Sequence, residues 1–227
     1  MKDKLIDFIS NLLSVILGIV ITFAIQGMID RASDRKEVRS ALELVRSELL
    51  SNKNDIILAG AFVEQEKASA QYLLSHRDTL NRCPTDSIAY HSGVIFSDFS
   101  MTICQDALEL LKMSSLFQKV GDNQLSMKII RAYDSCEMVT DFLNQRAAAR
   151  NARFDNSVTE QNARRIASGG FIDIREYLKT DFGNYAVRYL VTQASVDKFT
   201  DTSDIDSAIS AIDQYLSGRR LRHNRTN

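Results

Sequence analysis

The sequence predicts a mainly α protein: an N-terminal transmembrane helix that continues into a long helix, followed by a helical, bundle-like soluble domain. Three observations support this fold class. Residues 12–29 form an uncharged, mostly apolar run of eighteen residues. The chain of 227 residues contains a single proline, Pro84, so long helices can run without interruption. After the apolar run, apolar residues recur at alternating steps of four and three, which is typical of a packed helix.

The composition is that of a globular protein. Hydrophobic residues make up 44% of the chain and charged residues 25%, which argues against wholesale disorder. A formal net charge of −1 gives no reason to expect a nucleic-acid partner. Cys83, Cys104 and Cys136 are an odd number without CxxC spacing, which favours free thiols in a reducing compartment. The alternative is one disulfide and one free thiol.

The apolar run at residues 12–29 has the length of a membrane anchor. Eighteen helical residues span about 27 Å, close to the hydrocarbon thickness of a bilayer. A cleaved signal peptide would have a shorter run and a small-x-small cleavage site, and residues 23–27 offer no convincing one. A helix buried in a protein core rarely stays uncharged for this long. We therefore predict a single-pass anchor over residues 1–32.

Basic residues on either side of the run predict its orientation. Lys2 and Lys4 precede it, and four basic residues follow it closely: Arg31, Arg35, Lys36 and Arg39. By the positive-inside rule, the side with more basic residues faces the cytoplasm. The C-terminal side has more by a small margin, which places the soluble domain in the cytoplasm. The reverse topology is the alternative. The four basic residues could reach lipid phosphates at the membrane interface, or form a solvated basic face.

Within the anchor, polar and small residues form one stripe. Ser10, Ser14, Gly18, Thr22 and Gln26 recur every four residues. Small residues at this spacing let two helices approach closely, and hydroxyl and amide groups can hydrogen-bond across the contact. The stripe therefore predicts transmembrane association, and with it a homo-oligomer. In the alternative, Ser and Thr bond only to carbonyls of their own helix.

The long juxtamembrane helix is predicted over residues 33–80, and it carries a heptad seam. Asn52 falls on this seam, where a lone polar residue can fix the register of packing. The seam indicates packing along another helix, either in a coiled-coil oligomer or in a monomeric bundle. Its members are Val38, Leu42, Val45, Leu49, Asn52, Ile56, Ala59 and Val63.

The helical soluble domain is predicted over residues 81–218. Residues 76–87 read as a loop around Pro84, and residues 87–103 are ambiguous between an extended segment and a short strand. A helix over residues 102–120 and a turn at residues 121–123 lead to a second seam. That seam consists of Leu125, Ile129, Ala132, Cys136, Val139 and Leu143.

The helix of the second seam is expected to run on through Arg146, Arg150 and Arg153. We interpret this basic strip as a solvated helix face, with a phosphate-contacting surface as the alternative. After a break at residues 169–170, two further helical pieces are predicted over residues 171–182 and 184–199.

The last helix is predicted to start with a capping box formed by Ser203 and Asp206 and to end at Gly218. Its buried stripe consists of Ile205, Ala208, Ile209, Ile212 and Leu216. Residues 219–227 form a basic tail with four arginines. We interpret it as a solubilising tail, and contact with anionic lipid is the alternative.

Residues 17–49 resemble the start of uncharacterised bacterial single-pass membrane proteins. Those proteins pair a Gly-Ile-rich anchor with a charged juxtamembrane helix that ends in a Leu-x-x-Glu-Leu-like segment. Here Gly18 and Ile19, and then residues 46–49 (Arg-Ser-Glu-Leu), stand at those places. Residues 102–133 are similar to the middle of those proteins. The sequence departs where they often carry Asn-Trp after the anchor. The resemblance implies the bacterial inner (plasma) membrane and brings no catalytic residue.

The residue pattern does not indicate catalysis, a metal or a cofactor. His76, His91 and His223 are isolated from one another and from the cysteines, unlike zinc ligands. The paired glycines at residues 169–170 lack the residues that make a phosphate-binding loop. We expect a membrane-anchored helical interaction protein whose partners are membrane lipid, a second copy and an unidentified protein. A membrane-tethered enzyme is the alternative, and a lipid or nucleic-acid binder is a third reading.

Overall fold

All regular elements that the computed structural model describes are helices, so the predicted mainly α class is confirmed. The structure describes residues 2–97, 100–192 and 200–223, with few side chains before residue 31 and none after residue 218. A 3-10 helix spans Arg77–Arg82. The α-helices are α1 (Lys2–Ser75), α2 (Thr85–Phe96), α3 (Asp106–Met113), α4 (Leu116–Val120), α5 (Asn123–Ser157), α6 (Glu160–Ala167), α7 (Ile174–Tyr177), α8 (Asp181–Thr192) and α9 (Ser203–His223).

The helix α1 contains the whole predicted seam of the juxtamembrane segment. All eight seam residues between Val38 and Val63 are buried, so the prediction that this face packs against other helices is confirmed. The same alternation of three and four continues beyond Val63 to Glu66, Ala70 and Leu73, which are also buried. Because α1 is a single helix of 74 residues, the predicted anchor and the seam lie on one uninterrupted element.

The predicted membrane span falls largely outside the described side chains. Between residues 12 and 29, side chains are described only for Leu17, Ile21, Thr22, Gln26 and Met28, and all five are exposed. Within the described part of the chain, none of the helices combines the length and the apolar composition that crossing a bilayer requires.

The chain divides into two compact units. Unit 1 consists of Met1–Glu48, Gln105–Met127 and Ala211–Asn227, and unit 2 of Leu49–Cys104 and Lys128–Ser210. Each unit draws on segments that are far apart in the sequence.

Unit 1 is held by polar contacts to α1. Arg46 pairs with Asp213 of α9 at 2.7 Å, and Lys119 of α4 pairs with Asp34 at 2.8 Å. A carboxylate oxygen of Glu48 accepts the backbone N–H of Ala107 at 3.0 Å, in the first turn of α3. That bond satisfies one of the donors that the start of any helix leaves free.

Unit 2 contains an apolar core that α2, α5, α7 and α8 share with the end of α1. The rings of Phe96 and Phe154 meet edge to face at 5.4 Å, and Phe96 meets Tyr177 in the same way at 5.4 Å. The hydroxyl of Tyr177 is hydrogen-bonded to that of Ser157 inside this core. Burial raises the pKa of Tyr177 to about 12.

Several local predictions were wrong, each for an identifiable reason. Much of the ambiguous stretch of residues 87–103 belongs to α2, which begins directly after Pro84, where proline is tolerated. The last helix already includes Ser203, and the backbone carbonyl of Thr202 accepts the N–H of Asp206, so the cap lies one residue earlier. Gly218 does not end α9, because a terminating glycine needs a left-handed φ, as Gly121 has after α4.

Candidate functional site: a buried polar network on α1 and α5

The network arises because polar residues occupy seam positions on two long helices. On α1 the seam places Asn52 and Glu66 at core positions fourteen residues apart. On α5 the second seam ends at Leu143, and the next steps of three and four fall on Arg146 and Arg150. The heptad phase therefore directs three charged side chains of unit 2 into its interior.

One buried carboxylate binds two buried guanidiniums. Glu66 is fully buried, and Arg146 and Arg150 are 8% and 5% exposed. Arg146 Nη2 donates to Glu66 Oε2 at 2.8 Å. Arg150 Nε lies 2.5 Å from Glu66 Oε1, in an ion pair that is not directed as a hydrogen bond. The strip of residues 146–153 is thus not a solvated face at its first two arginines, and that interpretation was wrong for them.

The surplus positive charge of this cluster is balanced by backbone carbonyls. Arg150 Nη2 donates to the carbonyl oxygens of Ile95 at 2.5 Å and Ser97 at 2.7 Å, at the end of α2. The last carbonyls of a helix lack partners within the helix and carry the negative end of its dipole. These hydrogen bonds offset the cost of burying the charge of Arg150, and they also fix the end of α2.

The third arginine of the strip stacks on an aromatic ring. The guanidinium carbon of Arg153 lies 3.6 Å from the ring centre of Tyr189 in α8, and its Nη1 donates to the carbonyl of Ala149 at 2.7 Å. A guanidinium over a ring face gains about 0.5–2 kcal/mol, depending on desolvation. All three arginines of the strip thus have partners inside the protein, and none of the three is placed as an open phosphate contact.

Two asparagines hold an extended segment by its main chain. Asn52 Nδ2 donates to the carbonyl of Cys104 at 2.8 Å, and the N–H of Cys104 donates to Asn52 Oδ1 at 3.0 Å. Asn144 of α5 makes the same paired contact with Met101, at 2.8 Å and 3.0 Å. Each amide thereby replaces the strand partner that the segment lacks. Asn52, which was predicted to fix the register of helix packing, thus binds the backbone of Cys104, a residue outside the helices.

The groups of the network are suited to holding segments of the chain together through hydrogen bonds and ion pairs. The guanidinium groups donate hydrogen bonds, the carboxylate of Glu66 accepts them, and the asparagine amides do both. Over the described residues no group of three or more His, Cys, Asp or Glu side chains could hold a metal ion. The arrangement can fix α2 and the segment around residues 101–104 against α1 and α5.

None of the residues that the sequence marked as membrane sites is a member of this network. Thr22 and Gln26 of the predicted association stripe are exposed, and the side chains of Ser10, Ser14 and Gly18 lie outside the described part. Three of the predicted interface residues, Arg31, Arg35 and Lys36, are exposed. Arg39 is half-buried and pairs with Glu43 at 3.0 Å.

Among the described residues, two open grooves can be outlined, and neither brings acids and histidines together. One, of about 440 Å³, lies in unit 1 against α1 with Ala41, Leu44, Leu110 and Leu116 on its apolar side. The other, of about 460 Å³, lies along α6 and contains Glu160 opposite Arg164 and Arg165. Each groove is lined by one acidic residue and no histidine.

No protein-family model, no curated protein and no solved structure matches this chain. Over its described residues the chain is a mainly α protein with a buried Glu–Arg–Arg cluster.

Sequence reasoning missed Glu66 and Asn144, although a signal existed for the first. Glu66 lies three residues beyond Val63, the last seam residue assigned, so extending the heptad by one step would have placed it in the core. Asn144 follows Leu143 and falls outside the strict seam, and its partner Met101 is distant in sequence. The sequence pattern gives no indication of that contact.

Proposed function

We propose that this protein is a membrane-anchored helical interaction protein, acting as a scaffold, accessory subunit or sensor, that associates with a second copy of itself. The observation that carries the proposal is the continuity of α1 from Lys2 to Ser75. Its first part contains the uncharged run of residues 12–29, and its second part contributes the buried seam. One rigid element would thus join a membrane anchor to the folded core.

The buried network supports an interaction role over an enzymatic one. Its side chains are committed to backbone carbonyls, backbone amides and each other, at distances of 2.5–3.0 Å. They leave no reactive group facing solvent, and the two grooves lack converging acids. Such an arrangement fixes the part of α1 that belongs to unit 2. A protein that holds other molecules in position at a membrane requires a helix fixed in this way.

Membrane fractionation tests the proposal. The full-length protein should sediment with membranes and resist extraction by alkaline carbonate, because eighteen uncharged helical residues match the thickness of a bilayer. A truncated chain beginning at Arg35 should remain in the supernatant with a helical circular-dichroism spectrum. Replacing Val20 and Ile21 by Asp should release the full-length chain as well, since an acidic residue at the centre of a span costs about 2.5–3.5 kcal/mol. Full-length protein in the soluble fraction would contradict the proposed anchor.

A further inference from the structure

The end of α1 and the middle of α2 are joined by a cluster of aromatic rings that contains two histidines. The ring of Tyr72 lies against His91 of α2, with centroids 4.1 Å apart and planes 26° apart. The same ring lies against His76, with centroids 4.4 Å apart and planes 31° apart. Both imidazoles therefore share one tyrosine ring as a neighbour, and a charge on one is felt by the other.

Hydrogen bonds fix the two imidazoles in place. His91 Nδ1 lies 3.1 Å from the hydroxyl of Ser69, which is buried on the seam-facing side of α1. His76 Nδ1 lies 2.9 Å from the carbonyl oxygen of Tyr72 and 3.0 Å from the hydroxyl of Ser75. Tyr90 touches His91 edge-on at 5.0 Å, and its hydroxyl accepts a hydrogen bond from Gln65 at 2.7 Å. Thus α2 is seated on α1 through His91.

We propose that Tyr72, His76 and His91 form an acid-sensitive latch, in which an uncharged His91 holds α2 against the end of α1 and protonation of His91 loosens α2. The groups that face His91 are a neutral hydroxyl on Ser69, the phenols of Tyr72 and Tyr90, and the imidazole of His76. The charge that acts on His91 is that of His76, and it has the same sign as the proton that His91 would gain.

The direction of the effect follows from the surroundings of His91. Burial first, and then the charge of His76, lower the pKa of His91 below its ordinary value of 6.5. The seated state of α2 then binds fewer protons than the released state. Its stability is therefore complete above pH 6.5 and falls as the pH drops from that value through the lowered pKa. The hydrogen bonds from Arg150 to the carbonyls of Ile95 and Ser97, at the C-terminal end of α2, do not involve His91. The loosening of α2 from α1 should therefore start at the N-terminal end of α2.

Hydrogen exchange on the full-length chain in detergent micelles tests the latch. Exchange of the amides of α2, corrected for the intrinsic effect of pH, would be measured by mass spectrometry at about pH 7.5 and about pH 5, on either side of the ordinary histidine pKa. In the wild type the opening constant of α2 should rise at the lower pH, because the seated state of α2 binds fewer protons than the released state. Amides of α9 serve as the internal control and should not change.

Two variants separate the latch from general acid instability. His91→Phe keeps a ring on Tyr72 but cannot ionise, and its α2 should show no increase at the lower pH. His76→Phe leaves the contact between His91 and Ser69 in place and removes the like charge, so the increase should be smaller than in the wild type. An α2 in the wild type that does not loosen in acid would overturn the proposal. So would an increase in either variant equal to that of the wild type.

Discussion

Glu66 is the residue on which the charge balance of the interior depends. It is fully buried and is the carboxylate partner of both Arg146 and Arg150. Taking a charge out of water is costly, and the cost is recovered only when the partner is close and its remaining donors are satisfied. Arg150 meets this condition through two carbonyls of α2, whereas Arg146 depends on Glu66. The carboxylate therefore supports more than one ion pair.

Glu66→Gln should lower the free energy of unfolding by about 3 kcal/mol, because it leaves two buried guanidiniums without a counter-charge. The measurement is urea-induced unfolding of the full-length chain in detergent micelles, followed by circular dichroism. Glu43→Gln is the matched control, since it removes the same charge from an exposed i,i+4 pair with Arg39 and should cost about 0.5 kcal/mol or less. Equal losses of unfolding free energy in the two variants would show that the buried pairs stabilise the protein no more than the exposed pair does.

Residue types alone could not distinguish a buried arginine from an exposed one. Three arginines spaced along a helix are typical of a solvated face, and this interpretation failed for Arg146 and Arg150. Their spacing from Leu143 predicts their burial, because positions that continue the seam stay on its buried face whatever residue occupies them. Asn52 was recognised by this reasoning, while the partners of its amide, the backbone groups of Cys104, could be found only from the fold.

At the level of the element, the predicted association stripe and the buried seam occupy different faces of α1. Gly18 and the seam residue Val45 are twenty-seven residues apart in the sequence, which is about seven and a half helical turns. The predicted association stripe and the buried seam therefore lie on opposite sides of the helix. Two copies could meet along the stripe without disturbing the packing of the seam in either copy.

Gly18→Leu should reduce self-association while leaving membrane insertion intact, because leucine is favourable in lipid but separates helices that meet at a glycine. Gly18→Ala keeps the residue small and should lie between the wild type and the leucine variant. Energy transfer between differently labelled copies in the membrane measures the association. If all three proteins associate equally, the stripe is not the contact, and any oligomer must use another surface.

Helix types and faces could be predicted for long periodic segments and less well for short ones. The seams of α1 and α5 repeat over many turns, so their buried faces follow from spacing alone. The stretch that forms α2 is only twelve residues long, and its apolar residues fit both a helical and an alternating pattern. Tertiary contacts favour the helix in this stretch, and one of them is the hydrogen bond that Arg150 donates to the carbonyl of Ile95 near the end of α2.

At the level of the whole molecule, the proposed anchor restricts where the two units can function. The uncharged run belongs to the first segment of unit 1, and the rest of unit 1 and all of unit 2 follow it in the chain. The basic residues that follow the run outnumber those that precede it, which favours the cytoplasmic side. Cys83, Cys104 and Cys136 form no disulfide with one another.

The native cysteines provide a direct measurement of this orientation. Cys104 is exposed, Cys83 is half-buried, and Cys136 is buried with its pKa raised to about 11 by desolvation. Only the thiolate reacts readily, so Cys136 should stay unlabelled in the folded protein near neutral pH. A variant with Cys83→Ser then presents Cys104 as its reactive thiol, without any new residue near the proposed anchor.

In intact spheroplasts of the Cys83→Ser variant, a membrane-impermeant maleimide should leave Cys104 unlabelled, and lysis should allow labelling, because the membrane separates the reagent from a cytoplasmic thiol. A further Cys104→Ser exchange is the control and should abolish the labelling after lysis. Cys104 also lies beside Asn52, which binds its backbone rather than its side chain, so the serine exchange should leave those hydrogen bonds in place. Labelling of Cys104 before lysis would reverse the topology and place both units outside the cytoplasm.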